Sequence, residues 1–168
     1  MREMLDWLRR DGDKEDANVF LTLARHPRML KRWGAFSGTL LYRGELTPRE
    51  REILVLRTGW RCRATYEWGQ RVPIGRQAGL TEEEIQELAD GSSAGTLTDL
   101  ELALVAAADE LHDHARIGDK TWSRLVARYD DKRLIEICMV VGQYHLVAFT
   151  LNSLGTPLDP GLEGFPAP

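Results

Sequence analysis

Apolar positions recur every three or four residues along most of the chain, and no segment alternates strictly between apolar and polar. That period is helical, and the class it predicts is all-α. Met4, Leu5 and Leu8 mark a short amphipathic segment that ends at Asp11-Gly12-Asp13. Val19, Phe20, Leu23 and Ala24 mark a second, stopped at Pro27. A third runs from Pro27 towards Gly44 on Leu30, Trp33, Leu40 and Leu41. Gly34 and Gly38 weaken it by about 1 kcal/mol each relative to Ala.

Three helix starts carry the same device. Thr47-Pro48-Arg49-Glu50, Thr81-Glu82-Glu83-Glu84 and Thr98-Asp99-Leu100-Glu101 each place a threonine three residues before a glutamate. The hydroxyl and the carboxylate satisfy backbone N–H groups that the first turn leaves over, and Pro48 suits the first helical position. The first box predicts a helix to about Thr58. Another helix begins near Ala64 and stops at Gly79, where the second box opens the next. The third box opens a helix to about His114. A shorter helix is expected over 119–129, and the longest from about Asp131 to Gly155. Gly91-Ser92-Ser93-Ala94-Gly95 reads as a linker. The tail, 156–168, is rich in Pro and Gly and is expected to lie extended on a surface or on a neighbouring subunit.

The length, 168 residues, suits one domain. With 43% hydrophobic and 29% charged residues the chain is expected to fold around a core. A net charge of −4 gives no general attraction to nucleic acid or to an anionic membrane. The two cysteines, Cys62 and Cys138, form neither CxxC nor a zinc-type spacing, and a cytoplasmic location is expected. The first residues hold no apolar run of signal-peptide length. The most apolar region, 134–151, contains Glu136, Gln143 and His145, which favours a buried helix over a membrane span.

One stretch breaks the sorting of apolar from polar. RCRATYEWGQRVPIG (61–75) sets Glu67 and Arg71 one helical turn apart, on one face, among Tyr66, Trp68, Val72 and Ile74. Two readings stay open here: a pocket wall, or a Glu67–Arg71 ion pair that only holds the helix. Glu52 stands among Ile53, Leu54 and Leu56 without a capping role; a solvated helix face would also accommodate it. His145 lies midway along the longest helix, beside Gln143 and Tyr144, as either a core residue or an acid–base group. His112 and His114 diverge by about 200° on a helix, so one metal cannot readily hold both, and no metal is expected. The arginines Arg57, Arg61, Arg63, Arg71 and Arg76 are surface charges or carboxylate anchors. No phosphate loop, dinucleotide fingerprint or nucleophile elbow occurs, so no cofactor is expected.

The combination LTPREREILVLRTGWRC, YEWGQ and VPIGRQAGLTEEEI, over residues 46–90, resembles the carboxymuconolactone decarboxylase-like family, which includes the alkylhydroperoxidase-D-like proteins. GQYHLVAFTLNSLGTPLD is similar to the C-terminal helix of its Tyr-Glu-Trp branch. The resemblance implies a single all-helical domain, assembled as homotrimers or homohexamers. In the redox branch a glutamate is followed twelve residues later by CxxC, then by a histidine four residues after the second cysteine. Counted from Glu52, those positions hold Ala64, Glu67 and Arg71, so both cysteines and the histidine are replaced. The decarboxylase branch also keeps a histidine after Tyr-Glu-Trp, where Arg71 stands. Arginine cannot shuttle protons near neutral pH, but it binds carboxylates.

The resemblance therefore implies a lyase or isomerase without cofactor, acting on a small organic acid or lactone-like substrate. Glu67, Glu52 and His145 are the expected catalytic groups. Arg71, Tyr66, Trp68, Tyr144 and Trp60 are the expected substrate contacts. The rival expectations are a non-catalytic binding or assembly member and, with Cys62, a thiol peroxidase.

Overall fold

Eight helices and no strand occur among the described residues, 17–91 and 95–166, of the computed structural model. They are α1 (Asn18–Leu23), α2 (Pro27–Tyr42), α3 (Pro48–Arg61), α4 (Thr65–Gln77), α5 (Glu82–Asp90), α6 (Asp99–His114), α7 (Asp119–Val126) and α8 (Asp131–Leu154). The segment around Met4 and Leu8 and the centre of the 91–95 linker lie outside the described residues. α3 runs one turn further than expected, because Trp60 packs on the core and the Cys62 amide still finds the Thr58 carbonyl at 2.9 Å. α7 is shorter than expected: Arg128 and Tyr129 bond back to Leu125 as a turn.

All three capping boxes form, with the threonine hydroxyl and the glutamate each accepting the other's backbone N–H. Their glutamates also tie the helices together. Arg49 donates to Glu84 at 2.5 Å and to Glu101 at 2.7 Å, so one guanidinium joins the starts of α3, α5 and α6. Glu50 accepts the Tyr129 hydroxyl at 2.6 Å, fixing the turn before α8.

α3 is the centre of the fold. It packs against α4, α5, α6 and α8, and every residue from Glu52 to Gly59 is buried. Ile53, Leu54, Val55 and Leu56 point to different sides of the helix, and all meet apolar neighbours. Arg57 is the polar counterpart on that surface. It makes a two-pronged bond to Asp109 of α6, at 2.7 and 2.9 Å, and donates to the Leu88 and Ala89 carbonyls at the end of α5.

α8 has two faces. Leu134, Ile137, Val140, Val141, Tyr144, Ala148 and Leu151 are buried. Ile135, Met139, Leu146 and Phe149 are exposed. By length and composition α8 is apolar enough to cross a membrane, and half of that apolar window is buried inside the fold.

The tail lies on its own chain. Asp159 accepts the Asn18 amide and the Tyr66 hydroxyl, both at 2.7 Å, and Phe165 packs on Trp60 and Trp68. It passes so close to α4 that a Cβ on Gly69 would stand 2.7 Å from the Glu163 carbonyl oxygen.

Removing one partner of a well-buried ion pair leaves the other charge uncompensated. Arg57→Ala is expected to cost about 1.5–3 kcal/mol in urea denaturation, because two buried helix-end carbonyls lose their donor and Asp109, itself 26% exposed, keeps only Arg61 at 3.7 Å. A loss below about 0.5 kcal/mol, the range of ordinary surface changes, would show that the pair does not hold α3 to α6.

Candidate functional site

The enclosure of α3 places Glu52 where water cannot reach it: its exposure is 0%. A carboxylate there needs a cation, and α4 supplies one. Arg71 donates from Nη1 to Glu52 Oε1 at 3.3 Å, and Arg51 adds a second approach at 3.4 Å. The other Glu52 oxygen has no hydrogen-bond partner. Arg71 is also held from the α8 side, its guanidinium carbon 4.8 Å from the centre of the Tyr144 ring. A cation over an aromatic face at that distance gains from the ring quadrupole.

Glu67 sits one turn before Arg71 and is 4% exposed. The ion pair that its spacing allows is not its hydrogen-bonding state: neither carboxyl oxygen accepts a hydrogen bond, while Arg71 reaches across to α3. Burial pushes the Glu67 carboxyl well above its ordinary range, and nearby Arg71 only partly pulls it back. The group is thus an enclosed carboxyl, biased towards its protonated form, beside a guanidinium.

Trp60 and Trp68 form an aromatic wall, with ring centroids 5.3 Å apart. Phe165 stands edge-on to Trp60 at 4.9 Å and tilted to Trp68 at 5.6 Å. Tyr66 turns elsewhere. Its hydroxyl donates to Asp159 and accepts from the Val19 amide, and its ring packs with Val147 and Leu151. Burial and Asp159 raise its pKa. The residue anchors the tail to α1 and α4 rather than meeting Arg71.

His145 belongs to a second group. Its Nδ1 lies 2.9 Å from the Val141 carbonyl, which can only accept, so that nitrogen carries the hydrogen. Nε2 then offers a lone pair, and it faces His112 Nδ1 at 2.9 Å. Cys62 Sγ lies 3.8 Å from the same His112 nitrogen. These three donor atoms all fall within 4.8 Å of one another, on half-buried residues. Burial chiefly pushes the Cys62 thiol up to about 12, and Glu67 adds to the shift, so the two groups lie in electrostatic reach of each other. Burial and the neighbouring His145 lower His112.

The His112–His145–Cys62 contact escaped the reading of the sequence. Local spacing sets His112 only against His114, which is exposed. Its actual partners are 33 and 50 residues away, and no local spacing announces them. Both cysteines are free thiols, with Cys138 exposed on α8. The clustered arginines are largely structural: Arg57 binds Asp109, Arg61 binds Asp113 at 2.5 Å, and Arg76 binds Glu82 at 2.6 Å.

Solved structures share this arrangement of helices. The alkylhydroperoxidase AhpD core of an uncharacterized peroxidase-related protein from Ralstonia eutropha superposes with a TM-score of 0.84 at 20% identity, over 95% of this chain and 85% of that one. An uncharacterized peroxidase-related protein from a Silicibacter species gives 0.83 at 14% identity, over 95% and 84%. The debrominase Bmp8, in complex with 2,3,4-tribromopyrrole, gives 0.76 at 12% identity, over 95% and 82%. At these identities the likeness is one of fold. No curated protein matches the chain significantly in sequence. The sequence profile of the Carboxymuconolactone decarboxylase family matches residues 27–110, from the start of α2 into α6, and spans Glu52, Glu67 and Arg71. The all-helical fold built around α3 is thus that of the AhpD-like proteins, and the chain belongs to the carboxymuconolactone decarboxylase family.

Proposed function

We propose that the chain is a decarboxylase-like lyase or isomerase that moves a proton on a small carboxylated or lactone-like substrate. The observation that carries this reading is Glu67, a buried carboxylic acid with both oxygens unpartnered. A carboxyl group whose surroundings push its pKa up holds its proton to higher pH than an ordinary glutamate, and so can act as a proton donor. Arg71 would hold the anionic group of the substrate, with Glu52 and Tyr144 fixing the angle of its guanidinium. Trp60 and Trp68 would form the apolar wall.

In the decarboxylation form, the bond between the substrate carbon and its carboxylate breaks and CO2 leaves. The electron pair stays on the carbon as an enolate, which the Arg71 charge stabilises. Glu67 gives its proton to that carbon and is left as carboxylate, then regains a proton from water. In the isomerase form, Glu67 gives its proton to one position of the substrate and, then a carboxylate, takes one back from another position of the same substrate. The step does not require His145, which is engaged with Val141 and His112.

A thiol peroxidase needs an accessible thiolate and a resolving thiol. Here the Cys62 thiol is pushed up, and Cys138 is on the exposed face of α8. The other rival, a non-catalytic member, draws support from Phe165 standing on the aromatic wall.

The exposed apolar row on α8 supports a second element of the proposal, self-association as a homo-oligomer. A shallow groove between α7 and α8, lined by Trp122, Leu134, Ile135, Cys138 and Met139, continues that surface.

With carboxymuconolactone as the first probe, the protein should release CO2, and Glu67→Gln should lower kcat by at least about 100-fold, the low end for a general acid. Parent-like turnover by that variant would remove Glu67 from the step. Tight binding of the probe without any CO2 release would favour the non-catalytic reading.

Stability should also report the protonation state. The unfolded chain ionises Glu67 above its ordinary value of 4.5, while the folded chain keeps the proton. Folded protein then holds more protons than unfolded, so stability falls as pH rises from there through the folded pKa. Each pH unit of that window costs about 1.4 kcal/mol. Denaturation midpoints of Glu67→Gln should fall less steeply over the same window; parallel curves would mean that Glu67 is ionised in the fold.

Sedimentation should show an oligomer in the parent and a smaller species for a double variant, Ile135→Glu with Phe149→Glu. An unchanged species would place any interface elsewhere.

A further inference from the structure

We propose that Cys62, His112 and His145 bind one divalent transition-metal ion, zinc being the best fit, with one coordination position left open. The proposal departs from the expectation of a metal-free chain, and it stands whether or not the proton-transfer reading holds.

The donor chemistry is the first ground. One thiol and two imidazoles are borderline-soft ligands, a set that suits zinc among the abundant divalent ions and does not suit magnesium or calcium. The three come from separate elements: Cys62 caps α3, His112 is in the last turn of α6, and His145 is mid-way along α8. Their convergence is therefore a product of tertiary packing.

Geometry is the second. Tetrahedral zinc with Zn–N of about 2.0–2.1 Å and Zn–S of about 2.3 Å sets ligand nitrogens about 3.4 Å apart and nitrogen to sulfur about 3.6 Å apart. The nitrogens here are 2.9 Å apart and sulfur is 3.8 Å from one of them, with all three atoms within 4.8 Å. Small side-chain rotations connect the two arrangements. The 2.9 Å contact is that of two ring nitrogens sharing one proton. On metal binding that hydrogen would move to His112 Nε2, freeing Nδ1 as a ligand, and the thiol would release its proton.

The third ground is the support behind the ligands. A metal-bound histidine typically donates its other nitrogen to a carbonyl or carboxylate, which fixes tautomer and ring angle. His145 already does this with Val141, and so presents Nε2 as a lone pair. Cys62 is held through its carbonyl by Asn152 Nδ2 at 3.0 Å, which ties the thiol-bearing turn to α8. The residues are half-buried, so ions have a route in. Three protein ligands with no fourth among the described residues is the composition of zinc sites that keep a position for water or substrate.

The test uses tag-free protein stripped with a chelator, titrated with Zn2+ by calorimetry and with Co2+ by absorption spectroscopy. One ion per chain is expected, with a thiolate-to-cobalt charge-transfer band and the intense visible bands of four-coordinate cobalt. Cys62→Ser should abolish the charge-transfer band. Cys62→Ser, His112→Gln and His145→Gln should each weaken zinc by more than the 10–100-fold that loss of an outer-shell partner costs. Cys138→Ser should change neither signal. Circular dichroism separates loss of ligand from loss of fold, and the parent spectrum beside that of Cys138→Ser decides the matter if a ligand variant does not fold. Absence of zinc uptake, absence of the charge-transfer band in the parent, or its loss with Cys138→Ser would overturn the proposal.

Discussion

The structure depends on enclosing α3 from every side. Once a helix is buried all round, any ionisable residue on it must be met by a partner from a neighbour. Arg57 is met by Asp109 of α6, and Glu52 by Arg71 of α4. The consequence falls on Glu67. The guanidinium that its own helix offers one turn away is directed to Glu52, and Glu67 is left enclosed without a hydrogen bond. One carboxylate is thus held with a cation, and a second is pushed towards its neutral form.

Much of the frame was legible in the residues. Each capping box specified a helix start because its hydrogen bonds are local, between residues three apart. The positions of α3 to α8 followed from those boxes, from Gly79 and Gly155 as stops, and from helical periodicity. The register from Glu52 also identified Glu67 and Arg71 as the positions to watch. What stayed hidden was the choice among partners. Spacing allowed Arg71 to pair with Glu67, yet it donates to a residue nineteen positions earlier. Tyr66 belonged by sequence to the same wall as Trp68, but its hydroxyl is committed to Asp159, and that depends on where the tail lies. Arg49 carried no signal of its own within the first capping box, yet it joins three helix starts.

The thiol shows the same limit in another form. Cys62 is two positions from where the redox branch of the family would place its first cysteine, and on sequence grounds it had no partner. In the fold its neighbours are imidazoles, not a second sulfur. Burial disfavours the thiolate in the metal-free protein. The same surroundings that make Cys62 a poor nucleophile make it a serviceable ligand, because a metal supplies the charge that burial withholds. The residues at Ala64 and Glu67 and the thiol–imidazole contact at Cys62 are therefore independent features of the chain.

Both groups finally depend on the angle at which α8 lies. Tyr144 and His145 are adjacent, so their side chains point about 100° apart around the helix. One covers Arg71; the other meets His112. A rotation of α8 that improved one contact would spoil the other. The angle is set by Ile137, Val140, Val141, Ala148 and Leu151, all buried, with each large aliphatic side chain contributing about 1.5–3 kcal/mol. Of these, Val141 meets a candidate ligand directly, its carbonyl accepting from His145 Nδ1. Together they fix the orientation of a helix that bears on both groups, and a cavity among them would disturb the Glu52–Arg71 pair and the thiol–imidazole cluster together.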